Sequence, residues 1–211
     1  AAWAAGRLGC RTALITMSLE AIGQMSCNPA IGGVAKGHIV REIDALGGLM
    51  GLAADAGGIQ FRTLNRSKGP AVWAPRAQAD RTLYAHAVIE LLRSVETLDL
   101  IEGQVEEVIV RRCRGRYERR PLAEREVEGV RLADGRKFGA PVVILAAGTF
   151  LRGLMHCGSQ MTVGGRIDEP SAETLSCTLE QIGLRLERLK TGTPARVARD
   201  SVDHARLEAQ E

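Results

Sequence analysis

Residues 141–150 read PVVILAAGTF. A short uncharged run rich in β-branched residues, bounded by turn chemistry, predicts a strand buried on both faces, as in a parallel sheet. The small residues closing it, Ala147-Gly148-Thr149, let the backbone bend tightly and leave room for a ligand to come close. Working backwards, EVEGVRLADGRKFGA (126–140) alternates like a strand, turns at Asp134-Gly135 and resumes. LDLIEG (98–103) and QVEEVIV (104–110) predict two consecutive strands before it.

A helix is expected over about 76–94, where Tyr84, Ala87, Val88, Leu91 and Leu92 recur at the spacing of a core-facing stripe. GIQFRTLNRSKGPAVWAPRAQ (58–78) has strand character at its start, then loop chemistry at Gly69-Pro70 and Pro75. Residues 34–46 predict an amphipathic helix, with Val40, Ile43 and Leu46 on one face and Gly47-Gly48 as its stop. The opening residues predict a helix end closed by Gly9, then a short buried strand TALIT (12–16). Because that helix starts without a cap, a preceding strand and turn are expected to be missing. Beyond 151 the chain is expected to be irregular to GGRIDEPS (164–171), followed by a helix over about 171–183 capped by Asp168 or Ser171, and a strand LRLERLKTGT (184–193). Helix, parallel-type strand, helices, meander, buried strand: the order predicts an α/β sheet with an antiparallel insert.

Composition excludes several classes. With 45% hydrophobic and 25% charged residues the chain has the makeup of an ordinary globular protein. Its longest uncharged runs fall short of the roughly 18 apolar residues of a membrane helix. The five cysteines, Cys10, Cys27, Cys113, Cys157 and Cys177, include no CxxC pair, which argues against a disulfide framework or zinc site and for a reducing compartment. No metal is expected. Seven arginines in the sixteen residues 111–126 suit either a solvated hairpin tip or a phosphate-contacting patch.

The segment QMSCNPAIGG (24–33) carries the clearest chemical hint. Cys27 stands between an Asn-Pro turn and the glycine pair Gly32-Gly33, a setting for close ligand approach or simply for a tight connection. A cysteine thiol becomes a strong nucleophile near neutral pH once its pKa is lowered. Lys36 and the following helix start would favour the thiolate form.

The order of elements resembles the two-dinucleotide flavoproteins, in which a buried strand with a small-residue Ala-Gly turn returns after a β-meander; the fold expected is a Rossmann-like FAD-binding domain. The phosphate signal G-x-G-x-x-G is absent from the chain, and Thr16-Met17-Ser18 stands where a ribose-binding acid is expected, with Glu20 beyond it. More specifically, residues 23–84, AAGTFLRGLMHCG (146–158), GGRIDEPSAETL (164–175) and RLKTGTPARV (188–197) resemble the MnmG/GidA family of tRNA uridine 5-carboxymethylaminomethyl modification enzymes.

The resemblance implies an FAD enzyme, usually a homodimer, acting with an MnmE-type GTPase on the wobble uridine of certain tRNAs. Methylenetetrahydrofolate would supply the carbon, glycine or ammonium the nitrogen, and NADH would reduce the flavin. It maps the family's loop cysteine to Cys27 and FAD contacts to Val105 and Ser171, beside Gly148, Thr149, Gly32 and Gly33 from the turns. Lys36, Arg41, Lys68 and Arg76 are candidate tRNA or folate contacts, or ordinary solvated charges; His38 is expected as a helix-surface residue. Residues 1–165 are expected to form the FAD-binding domain and 166–211 the start of an inserted one, in a cytoplasmic protein, or a mitochondrial one in a eukaryote. The family's second cysteine motif and helical C-terminal domain are lacking, Trp73 replaces a common arginine, and 111–126 is unusually basic. Alternatives are a truncated, non-catalytic flavoprotein remnant and the related folate- and FAD-dependent tRNA methyltransferases.

Overall fold

The strand expected at TALIT forms as β1 (Thr12–Thr16), after helix α1 (Ala2–Arg7), in the computed structural model, which describes residues 1–112 and 125–208. There follow β2 (Ala30–Gly32), α2 (Lys36–Ala45), α3 (Leu49–Gly57), β3 (Gly58–Leu64), β4 (Ala74–Ala79), α4 (Arg81–Arg93) and β5 (Leu98–Glu102). Then come β6 (Val105–Arg112), β7 (Arg125–Leu132), β8 (Lys137–Gly139), β9 (Leu154–Cys157), β10 (Gln160–Val163) and α5 (Glu173–Gln181).

β1 and β5 are neighbours in one sheet. Thr12 N donates to Thr97 O at one end and Gly103 N to Thr16 O at the other, so the two run parallel. All other named strands pair antiparallel. The chain is thus α/β with a parallel pair and antiparallel sheets, as the alternation of elements predicts. It divides into two compact units that interleave along the sequence, one of Ala13–Glu20 with Asp99–Leu189, the other of Ala2–Thr12, Ala21–Leu98 and Lys190–Glu211.

The first unit is built on the meander β6-β7-β8. Alternation along β6 and β7 directs Val108, Val110 and Val127 to one side, where α5 covers them with Leu175 and Leu179. Thr178 Oγ1 donates to Glu106 O at 3.0 Å, tying helix to strand, and the fully buried Ser176 hydroxyl is satisfied by Ala172 O at 3.0 Å. Helix α5 is shorter than expected and its N-cap is Ala172, without a side-chain cap. Ser171 is drawn away instead, its Oγ accepting from Gly153 N and facing Glu173 Oε1, both at 2.7 Å. The expected irregular stretch after 151 contains the hairpin β9–β10, in register Gln160–Cys157 to Val163–Leu154.

The buried strand expected at 141–150 does not form. Val143 packs against the α5 core, but Val142 and Ile144 are 71% and 66% exposed, and no strand among the described residues pairs with the run. An apolar pattern specifies where a strand can be buried; only a neighbouring backbone completes its ladder. For the same reason LRLERLKTGT, without ladder partners among the described residues, is not a strand.

The second unit packs α3 and α4 beside the sheet β2-β4-β3. Its contacts are close because its core is small-sided, with Ala53 and Ala54 of α3 and Ala74, Ala77 and Ala79 of β4 all buried. Tyr84, Val88 and Leu92 of α4 fill the remaining space, and burial pushes the Tyr84 phenol up from its ordinary pKa. Helix α3, unassigned in the sequence reading, has the alanine content of a good helix former.

Residues 76–79 belong to β4, not to a helix. The strand pairs with β2 on one side and β3 on the other, and α4 starts only after Asp80, whose Oδ1 accepts from Thr82 N at 2.8 Å and Leu83 N at 2.9 Å. Pro75 is tolerated inside β4 because the ladder to β2 ends at Arg76. Helix α2 keeps Lys36, Arg41, Glu42 and Asp44 outward as expected, but Leu46, expected on its core face, is 87% exposed just past the helix end.

Candidate functional site

In the second unit the cysteine loop is fixed at its exit. Ala79 N donates to Pro29 O at 2.7 Å and Ala30 N to Asn28 O at 2.8 Å, anchoring the exit of the loop to β4 and to its own turn. Beyond β2, Gly33 N donates to Pro75 O at 2.9 Å and Gly37 N to Gly33 O at 2.7 Å. Gly32 and Gly33 have φ of 89° and 97°, so the chain turns there through the left-handed region into α2, with Ala35 also left-handed at 62°. At Gly32 a Cβ would overlap the carbonyl oxygen of Pro75, whereas at Gly33 it would meet open space. The two glycines therefore serve different purposes: Gly32 allows two backbones to touch, and Gly33 supplies only the left-handed turn.

Just ahead of these anchors Cys27 is exposed and unpaired with any other cysteine. Its Sγ donates to Gly192 O at 3.5 Å, and the Arg196 Nη2 donates to Ser26 O at 2.6 Å. Both acceptors and donors lie within the second unit. Sequence reasoning did not single out Gly192 and Arg196; the only signal for them was the block RLKTGTPARV, far away along the chain.

The candidate basic residues share this unit. Lys36, Arg41 and Lys68 are exposed. Arg76 is half-buried, its Nη2 donating to Gln78 Oε1 at 3.1 Å. Lys68 sits in a loop braced by Trp73 Nε1 donating to Arg66 O at 3.1 Å and Lys68 N to Asn65 O at 2.9 Å. His38 is engaged with Ala71 O at 3.3 Å on the same loop, consistent with a structural surface residue.

In the first unit Gly148 adopts φ 56°, and open space lies where its Cβ would stand. Phe150 N donates to Ala147 O at 3.1 Å, closing the turn, and Thr149 Oγ1 donates to Gly165 O at 2.8 Å. The Ala-Gly turn expected from the sequence is thus present although the strand before it is not. Val105 opens β6 opposite Leu132, half-buried against the Val108 cluster. The Ser171 hydroxyl is engaged within its own unit, which makes it a brace of the 150–153 turn. Glu20 is exposed, while the amide of Leu19 bonds Glu102 Oε2 at 2.9 Å.

Of the arginine-rich stretch, 113–124 lies outside the described residues. At its margins Arg111 bridges Glu126 at 2.6 Å and Glu128 at 3.5 Å across the β6–β7 ladder. Among the described residues no cluster of His, Cys, Asp and Glu is suited to hold a metal ion, and no helix is long and apolar enough to cross a membrane.

One two-point ion pair of the first unit is structural. Arg152, at φ 44°, makes two hydrogen bonds to Glu180, at 2.8 and 2.5 Å, and Arg188 Nη1 donates to Arg152 O at 3.0 Å. These bonds hold the Glu180 carboxyl below its ordinary range and push Arg152 up. Since the folded-state pKa is depressed, the stabilisation is full above the ordinary glutamate value of about 4.3 and disappears as pH falls through the lower folded value. Glu180→Gln is expected to flatten the acid-side fall in melting temperature between neutral pH and about pH 3, modestly because the pair is solvated. Thermal melts across that range check it; parallel curves for both proteins refute it.

A profile of the family described as "Glucose inhibited division protein A" matches residues 1–211. The chain is 50% identical over 210 residues to the tRNA uridine 5-carboxymethylaminomethyl modification enzyme MnmG of Rhodopirellula baltica, covering all of this chain and 32% of that protein. To the enzyme of the same name from Granulibacter bethesdensis it is 52% identical over 202 residues, 96% of this chain and 31% of the relative. The crystal structure of Aquifex aeolicus GidA superimposes with a TM-score of 0.86 at 43% identity, over 98% of this chain and 32% of that one. The chain thus spans about a third of the length of the relatives it matches. With whole-chain identity near one half and the same fold, the chain belongs to the glucose inhibited division protein A family.

Proposed function

We propose that the protein of which this chain is part modifies C5 of the wobble uridine of tRNA, with Cys27 as its reacting thiol and FAD as its cofactor. One observation supports this most: the cysteine loop of a family whose relatives are named tRNA uridine modification enzymes is held at its exit by backbone bonds and leaves its thiol exposed. Residues 1–165 would contribute the FAD-binding domain and 166–211 open an inserted one.

Uracil C5 becomes nucleophilic once a nucleophile has added at C6. The Cys27 thiolate forms the S–C6 bond, electrons move onto the C4 carbonyl oxygen, and C5 then attacks the donor's methylene carbon as one of its C–N bonds breaks. That nitrogen takes the electron pair, and the second C–N bond later yields to the incoming glycine or ammonium nitrogen. Loss of the C5 proton and expulsion of the thiolate restore the ring and the enzyme. As a second role the same thiol would serve as general acid or base. Methylenetetrahydrofolate is the carbon donor in this reading, NADH the reductant, and an MnmE-type GTPase and a second copy of the protein are the partners, in the cytoplasm.

The open backbone at Gly148 fits close approach of a dinucleotide, and with Val105, Thr149 and Ser171 it would hold the FAD, while Gly32 and Gly33 are candidates for close ligand approach within their own unit. When bound, the flavin supplies the redox chemistry. Lys36, Arg41, Lys68 and Arg76 would meet tRNA phosphates.

Two measurements on the full-length protein test the reading. It should be yellow, and it should restore the modified wobble uridine, read by nucleoside mass spectrometry, in cells deleted for it. A colourless protein that takes up no FAD, or unmodified tRNA, sinks it. Binding of tRNA should weaken with salt, by about 0.7–0.9 in log affinity per log salt for each phosphate contact. Charge-removing substitutions at Lys36 and Lys68 that leave this slope unchanged would return those residues to the role of solvated charges.

A further inference from the structure

The block Lys190–Val197 forms neither helix nor strand, yet it is held to the cysteine loop at two points. Arg196 donates to Ser26 O at 2.6 Å, across 170 residues of sequence, and the Cys27 thiol donates to Gly192 O at 3.5 Å, across 165. The first bond is charge-assisted and short, as expected of a guanidinium on a carbonyl. The second is a weak thiol bond whose geometry depends on where the first holds the segment. The two contacts flank one another: Ser26 and Cys27 are adjacent on one side, Gly192 and Arg196 four residues apart on the other.

We propose that Arg196 is a positioning residue that latches the 190–197 segment onto the cysteine loop and keeps the Cys27 thiol engaged with the Gly192 carbonyl. A carbonyl oxygen can accept a proton from a thiol but offers nothing to a thiolate, and the thiolate is the nucleophile. The thiol must therefore leave Gly192 before it reacts, and Arg196 sets how readily the segment lets it go. The inference rests on the reading of Cys27 as a working thiol for its purpose, but its test does not require activity.

The test is the rate of iodoacetamide alkylation, resolved peptide by peptide, in the full-length protein. Arg196→Ala should speed alkylation of Cys27 by about 3- to 10-fold, the worth of one lost hydrogen bond. Cys10, exposed in the same unit, should not change. Arg196→Lys keeps a cationic N–H donor and should return the rate towards that of the parent. Arg199→Ala, an exposed arginine close by, should have no effect. An unchanged Cys27 rate in Arg196→Ala overturns the latch. So does a parallel rise at Cys10, which would signal general loosening, and so does failure of lysine to rescue. Loss or retention of tRNA modification in a Cys27 variant bears on the catalytic reading alone and leaves this result standing.

Discussion

Replacing Cys27 by serine in the full-length protein is expected to lower wobble-uridine modification by at least about a thousandfold, while the protein stays folded and yellow. Serine is nearly isosteric, and the side chain it replaces is exposed, so no cavity opens and no core contact is lost. The loop itself is held by backbone bonds at Pro29 and Ala30, which the substitution does not touch. What changes is chemistry: a hydroxyl is scarcely ionised at neutral pH and adds poorly to C6 of a uracil. The measurement is nucleoside mass spectrometry of tRNA from cells carrying only the variant, alongside flavin absorbance and melting temperature. Near-normal modification would make the thiol dispensable. Loss of modification accompanied by unfolding or loss of flavin would make it a structural residue.

The second large effect is expected at Gly32, and it is one of stability. Alanine there would bring a Cβ into the Pro75 carbonyl oxygen at a φ of 89°, where L-residues are strained even in open space. Clash and strain together should cost about 2–4 kcal/mol, lowering the melting temperature by roughly 4–16 °C for a protein of this size. Gly33 is the internal control. Its φ of 97° is as unusual, but nothing lies within 4 Å of where its Cβ would be. Gly33→Ala should therefore carry only the backbone strain, about 1 kcal/mol. If the two variants melt alike, the close approach of β2's end to Pro75 contributes nothing and the glycine pair is merely a flexible connection.

Much of the fold was legible because it is local. TALIT, LDLIEG and QVEEVIV became strands, the Asp134-Gly135 turn joins β7 to β8, and the Tyr84-Val88-Leu92 stripe is buried in α4. In each case the side-chain period and the turn residues carry the information, and both are written within a few residues of one another. The cysteine loop was legible in the same way, since an Asn-Pro turn and two glycines within ten residues mark where the chain can bend tightly.

What failed depended on partners elsewhere in the chain. PVVILAAGTF has the composition of a buried strand, yet Val142 and Ile144 are exposed because no neighbouring backbone completes a ladder beside them. Residues 76–79 carry no strong strand signal, but β2 and β3 flank them and make them one, displacing the start of α4 to Asp80. By itself, then, the sequence determined most of the local element types and the turns, and it pointed to Cys27 as the candidate reactive residue. Only the tertiary structure decided which strands find partners and that Gly192 and Arg196 lie against Cys27. A hydrogen bond across 165 residues depends on how the whole chain folds back, and no spacing within a local window encodes it.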